Sequence, residues 1–383
     1  MSALKLIVAL CVVHTSLGIA ESVGKSKTAG LSDDGNYTAD TKSVRLTPVL
    51  EFEEDWKQWT TDHHKVFSDV RERVDKYAVW RANKEYIDQH NQNAQRLGYT
   101  LKMNKFGDLT TKEFIEGIHC VQDYQPTNAS HLNKKHNTHA FVDYGDFVRG
   151  GAGEGVRGVG DMPETMDWRT SGVVTKVKDQ LRCGSSYAFS AMASLEGINA
   201  LSYGSLVTLS EQNIVDCSVT YGNHGCACGD VNRALLYVIE NDGVDTWKGY
   251  PSGGDPYRSK QYSCKYERQY RGASARGIVS LASGDENTLL TAVANSGPVS
   301  VYVDATSTSF QFYSDGVLNV PYCSSSTLSH ALVVIGYGKY SGQDYWLVKN
   351  SWGPNWGVRG YGKLARNKGN KCGIATAASF PTL

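Results

Sequence analysis

Polar and apolar positions follow a helical period in the first third of the chain and a strand-like period in the last. Glu72, Lys76, Trp80, Asn83, Ile87 and Asn91 are separated by steps of three and four, which places them along one stripe of a helix. The surrounding residues 51–117 read as a charged helical module. Periodicity fades over 118–160, where Arg149-Gly150-Gly151-Ala152-Gly153-Glu154-Gly155-Val156-Arg157-Gly158 predicts a mobile, protease-accessible linker. Order returns at Met162-Pro163-Glu164-Thr165-Met166-Asp167-Trp168-Arg169. Residues 185–198 carry Ala, Met and Leu at helical intervals without Pro, so a buried helix is predicted there. A second helix fits 209–217 with Ser210 as N-cap, and a third fits 230–240. After about residue 270 the runs 298–303, 331–335 and 345–348 are β-branched or aromatic and punctuated by Gly, which predicts strands. Helices followed by strands indicate an α+β fold.

The N-terminus reads as a signal peptide over 1–20. Lys5 precedes an apolar run from Leu6 to Val13, too short to span a bilayer, and Gly18-Ile19-Ala20 offers small residues for cleavage. Residues 21–50, rich in Ser, Thr, Asp and Lys, read as a disordered leader. Asn36 and Asn128 head glycosylation sequons. Lys plus Arg and Asp plus Glu both total 39, a balance that gives no support for nucleic-acid or membrane binding. His131, His136 and His139 fall in a polar loop without a ligand cluster at zinc-site spacing, so no metal or other cofactor is expected. Nine cysteines in an exported chain allow disulfides, whose connectivity the sequence alone leaves open.

The stretch Gln180-Leu181-Arg182-Cys183-Gly184-Ser185-Ser186-Tyr187-Ala188-Phe189-Ser190 resembles the active-site segment of papain-like cysteine proteases. That family's local signature is C-G-[SA]-C-[WY]. Ser186 stands where the family has its nucleophilic Cys. His330, in Ser329-His330-Ala331-Leu332, follows at the family's roughly 130–150-residue spacing, with Asn350, in Lys349-Asn350-Ser351-Trp352-Gly353, slightly beyond it. The stripe from Glu72 to Asn91 resembles the ERFNIN motif of cathepsin L-type propeptides, with Lys for Arg and Trp for Phe. Asn104-Lys105-Phe106-Gly107-Asp108 is similar to the N-x-F-x-D element of the same propeptides. Ser186, Tyr187 and the serine-rich run Cys323-Ser324-Ser325-Ser326-Thr327-Leu328-Ser329 together are similar to silicateins, the cathepsin L relatives of siliceous sponges that condense silica.

The resemblance implies a two-lobed papain-like domain over 161–383, an inhibitory propeptide over 51–117 whose tail crosses the cleft in reverse, and an activation linker over 118–160. It implies Ser186 as nucleophile, His330 as base, Asn350 as the group that orients the imidazole, Gln180 as oxyanion donor and Trp352 as cover for the His–Asn bond. It implies disulfides Cys183–Cys226, Cys217–Cys264 and Cys323–Cys372, leaving Cys120 and Cys228 over. Cys228, in Gly225-Cys226-Ala227-Cys228-Gly229, stands on the wall of the substrate cleft beside Gly229, in a place where the family has Gly. It reads as a small, partly buried thiol.

A nucleophile needs a base within reach, and the base needs a third group to fix its tautomer. A thiol beside His ionises with a pKa of roughly 3–4. A serine hydroxyl cannot, because a helix N-terminus stabilises an anion by only about 0.3–2 kcal/mol. Ser186 therefore stays neutral until attack, and peptide hydrolysis is expected to be slow. Leu181 and Arg182 replace small residues and narrow the approach to the oxyanion donors. Three readings stay open: hydrolysis and condensation of silicon–oxygen esters with templating of silica and self-assembly into filaments, slow endopeptidase action, and a catalytically dead structural homologue. The partners that follow are silicic acid, silica or peptide, and the chain's own prodomain. The expected location is secreted or lysosomal, or within a mineral axis.

Overall fold

The computed structural model describes residues 52–119, 140–149, 160, 162–251 and 257–383. The expected signal peptide and leader, both sequons and the histidines at 131, 136 and 139 lie outside these residues. Among the described residues no helix is long and apolar enough to cross a membrane.

The chain opens with α1 (Glu53–Asp62) and α2 (Val70–Asn91). Along the α2 stripe every residue type has a use. Trp80 and Ile87 are buried, and Trp80 packs with Trp56 and Trp59. Asn83 Nδ2 donates to the carbonyls of Gly107 (2.8 Å) and Leu109 (3.1 Å). The Asn91 amide makes two bonds to the backbone of Leu101, at 2.8 and 2.9 Å. Lys76 pairs with Glu113 at 2.6 Å. The stripe is thus a set of amide hooks that hold the strand β1 (Tyr99–Leu101) and the turn before α3 (Thr111–Ile118). The capping box Thr110/Glu113 starts α3.

Beyond α3 come β2 (Phe141–Asp143) and then the helical lobe: α4 (Ser186–Tyr203), α5 (Glu211–Cys217) and α6 (Val231–Glu240). Ser210 caps α5 through Asn213 N–H, and Asp230 caps α6 through Arg233 N–H. Most of α4 is buried, which fits its lack of a polar face. Its hydroxyls are satisfied across the lobe boundary: Ser190 Oγ donates to Leu332 O and Ser194 Oγ to Pro298 O, both at 2.7 Å.

The second lobe contains β3 (Gly277–Ser280), α7 (Glu286–Ser296), β4 (Val299–Val303), β5 (Tyr313–Leu318), β6 (His330–Tyr340), β7 (Gln343–Lys349), β8 (Tyr361–Ala365) and β9 (Ala378–Thr382). Helix α7 interrupts the stretch read as strands. Asp285 accepts from Asn287 and Thr288 N–H at its start, and Leu289, Leu290 and Val293 share its buried face. The sheet runs β1-β5-β8-β7-β6-β4-β9-β3-β2, with Met166–Asp167 added against β6. Its pairs are antiparallel except β8–β5 and β2–β3. Both end strands precede residue 162. β1 lies on β5 through Tyr99↔Gly316, where a Cβ on Gly316 (φ 88) would sit 2.3 Å from the Gly98 carbonyl. β2, in a stretch read as structureless linker, lies on β3 through Phe141↔Ile278. Strands from before residue 162 therefore cover both edges of the sheet. A 3-residue strand is too short for a period-2 signal, which is why neither was legible in the sequence.

Candidate active site

Ser186 is the first residue of α4 and is 2% exposed. The loop before it is held by Tyr257, whose hydroxyl bonds Ser185 Oγ at 2.7 Å and donates to Gln180 O at 3.0 Å. Ser186 Oγ accepts from Ala331 N–H at 3.2 Å. Its hydroxyl is therefore turned toward the backbone beside His330, and the imidazole does not receive it in this form of the chain.

His330 opens β6 and Asn350 follows β7, so one β-hairpin brings the two together. His330 Nε2–H donates to Asn350 Oδ1 at 2.8 Å. That bond leaves Nδ1 as the basic nitrogen, buried and without a hydrogen-bond partner. Burial pushes His330 down from the ordinary value of 6.5 to about 4, against the opposing effect of Asn350. The Trp352 ring lies 4.5 Å from the imidazole and is 1% exposed, so it covers the His–Asn bond. Gln180 is fully buried. Its Oε1 accepts from Ser351 Oγ at 2.6 Å, and its Nε2 donates to Cys183 O at 2.7 Å and Ile118 O at 2.9 Å.

Ile118 is the first residue of the expected linker, so a carbonyl from outside the expected papain-like domain occupies the amide of Gln180. The next residue, His119, is also buried. Its Nδ1 lies 3.1 Å from Ser329 Oγ, and its ring centre is 5.6 Å from His330 and 5.7 Å from Trp352. Burial first, then the neighbouring His330, holds its pKa well below 6.5. Phe106 and Phe114 pack edge-on against Trp352. The N-x-F-x-D element supplies the clamps: Asn104 Nδ2 donates to Gln311 O at 2.8 Å, Asp108 pairs with Lys65 at 2.7 Å, and Lys105 pairs with Asp179, next to Gln180, at 2.5 Å. Neither His119 nor its contact with Ser329, itself quoted above as part of the serine run, was legible in the sequence. His119 ends a helix at the edge of an aperiodic stretch, and Ser329 is the last of that run.

Leu181, read as narrowing the approach, is 47% exposed and adopts φ 53, with its N–H held by Asp179 at 2.9 Å. Gly229 lies under the Tyr187 ring, where a Cβ would approach to 2.6 Å. The bonds Cys183–Cys226, Cys217–Cys264 and Cys323–Cys372 are present. Cys228, read as a buried thiol, is disulfide-bonded as well. Cys120 lies outside the described residues. In the serine run, Ser324 Oγ accepts from Ser326 and Thr327 N–H and so shapes its own loop.

Comparison with known proteins agrees with this geometry. The papain family cysteine protease pattern matches residues 162–382, and the cathepsin propeptide inhibitor domain matches 56–114. A silicatein of Petrosia ficiformis is 51% identical, covering 91% of this chain and 99% of its own. Human cathepsin L2 is 41% identical, covering 86% and 92%. Among solved structures, digestive procathepsin L 3 of the Tenebrio molitor larval midgut superposes with a TM-score of 0.73 at 36% identity, over 87% of this chain and 99% of that one.

Proposed function

The chain belongs to the papain family of cysteine proteases, and on that premise we propose that it is a silicatein-like zymogen, cut within the expected linker, whose mature domain hydrolyses and condenses silicon–oxygen esters through Ser186. The observation that carries the reading is the hydroxyl at the buried start of α4, one backbone bond away from a His330–Asn350 pair whose basic nitrogen is unoccupied. Once the propeptide leaves, a rotation about the Ser186 Cα–Cβ bond carries Oγ from Ala331 N–H to His330 Nδ1. The imidazole takes the proton as Oγ attacks, and Gln180 Nε2, freed from Ile118, donates to the charge that develops on oxygen.

Oxygen in place of sulfur decides the substrate class. A neutral hydroxyl gains its nucleophilicity only in the transition state, and Asn350 stabilises the imidazolium less than a carboxylate would. Silicon accepts a fifth ligand and holds better leaving groups than an amide, so it asks less of the base. The 51% identity to a silicatein favours this reading over a serine-based endopeptidase. The test is silica formation from tetraethoxysilane by matured chain. Loss in Ser186→Ala and in His330→Ala supports the proposal. Equal rates in all three proteins move the chain to the class of catalytically inactive scaffolds, and efficient peptide cleavage moves it to the peptidases.

A further inference from the structure

Ser329 is a second hydroxyl at the site. It is buried, adjacent to His330, and its Oγ accepts from Ala305 N–H at 3.0 Å. Among the described residues its other hydrogen bond is to His119 Nδ1 at 3.1 Å. With one lone pair taken by Ala305, donation from the hydroxyl to Nδ1 leaves one buried group unpaired, the Nε2–H of His119, whereas the reverse direction would leave two, the hydroxyl proton and Nε2. Ser329 is thus a donor aimed into the space that His119 fills.

Two consecutive residues from before residue 162 therefore place acceptors on two donors beyond it. The Ile118 carbonyl takes Gln180 Nε2, and the His119 ring, its centre 5.6 Å from that of His330, takes Ser329 Oγ–H. When residues 118 and 119 leave, the Ser329 proton faces the space vacated by the His119 ring, on the side of the His330 imidazole.

We propose that Ser329 is a specificity-determining residue that selects substrates whose leaving atom is an acceptor oxygen, as in an alkoxysilane, a silanol or an oxygen ester. This rests on the reading of Ser186 and His330 given above. Attack by Ser186 Oγ forms an O–Si bond and passes its proton to His330 Nδ1. The Si–OR bond then breaks, the departing oxygen takes that proton from His330 as alcohol, and Ser329 holds the same oxygen by a hydrogen bond throughout. Water reverses the sequence and frees Ser186. An ether-like oxygen presents a lone pair from the start. An amide nitrogen carries a proton and a delocalised lone pair, and a thioester sulfur accepts only weakly.

The experiment compares an oxygen ester and a thioester of one acyl group, together with tetraethoxysilane, on matured chain carrying Ser329→Ala, Ser329→Thr or Ser186→Ala. Ser329→Ala is expected to lose about tenfold in kcat/KM on the oxygen ester and on tetraethoxysilane, and less than about threefold on the thioester. Ser329→Thr keeps the hydroxyl and the bond from Ala305, and is expected to restore both to within about threefold. Equal losses on the two esters, or unchanged turnover of the oxygen ester by a folded Ser329→Ala, overturn the inference while leaving the role of Ser186 intact. Turnover by the unsubstituted chain no faster than by Ser186→Ala overturns the underlying reading instead.

Discussion

At the scale of single residues the proposal is of a cysteine-protease site with one atom exchanged. Gln180, His330, Asn350 and Trp352 are buried, His330 is bonded to Asn350, and Trp352 covers that pair. Restoring the sulfur tests that directly. Ser186→Cys puts a thiol at a helix N-terminus beside an imidazole, where it ionises. The expected result is a gain of at least about tenfold in cleavage of cathepsin-type peptides, or about 1.4 kcal/mol in the barrier, with new sensitivity to alkylation at residue 186. All described cysteines are disulfide-bonded, so a label in the described region reports that position. A folded variant with neither activity nor label would mean that the cleft no longer supports nucleophilic catalysis. These residues were legible because each sits in a short contiguous motif. His119 and its contact with Ser329 were not, because that contact joins segments 210 residues apart.

At the scale of elements, what fixes Gln180 and Asn350 is a buried charge cluster behind them. Lys178 Nζ bonds Glu196 Oε1 at 2.9 Å and Glu211 Oε1 at 2.6 Å, tying the loop before Gln180 to α4 and α5. Lys349, one residue before Asn350, donates to Thr175 Oγ1 at 2.7 Å, and Thr175 donates to Glu196. Burial pushes Glu211 up to about 7 and Lys349 down to about 8, while the two carboxylates keep Lys178 charged against its own burial. A cavity of about 20 Å³ is lined by Lys178, Glu211 and Lys349 of this cluster together with Asn350 and Ser351. Removing one partner strands the others, so Lys178→Met is expected to cost about 3–5 kcal/mol in urea unfolding. The triple change Lys178→Met, Glu196→Gln, Glu211→Gln should recover much of it. A single variant within about 1 kcal/mol of the parent would show that the cluster is solvated and does not brace the site. The helices here were legible from period and caps. The cluster was not, since its charged residues look like surface positions until the packing places them inside.

At the scale of the whole molecule, the chain before residue 162 packs on the site through Ile118 and His119 and covers both sheet edges. Its hold includes the neutral imidazole of His119, whose pKa is held well below 6.5 when docked, so its contribution is complete above about 6.5 and is lost as pH falls below that. The groups facing His119 are Ser329, just before β6, His330 at its start, Trp352 and Phe114; none is a carboxylate that could stabilise its charge. The dissociation constant of the propeptide from the mature domain should therefore rise at least about tenfold between pH 7 and 5, and His119→Gln should flatten that slope. A slope unchanged by His119→Gln would place the sensor elsewhere, for instance in the Lys65–Asp108 and Lys105–Asp179 pairs. The measurement that reaches the central claim most directly is covalent labelling by a fluorophosphonate, a tetrahedral electrophile that reacts with a hydroxyl only when a base activates it. Matured chain is expected to acquire one adduct, mapped by mass spectrometry to Ser186, at a rate that climbs as His330 deprotonates and that collapses in His330→Ala. The uncut chain at neutral pH should stay unlabelled, because Ile118 and His119 fill the site. An adduct at another residue, or labelling of Ser186 at the same rate without His330, would contradict the account.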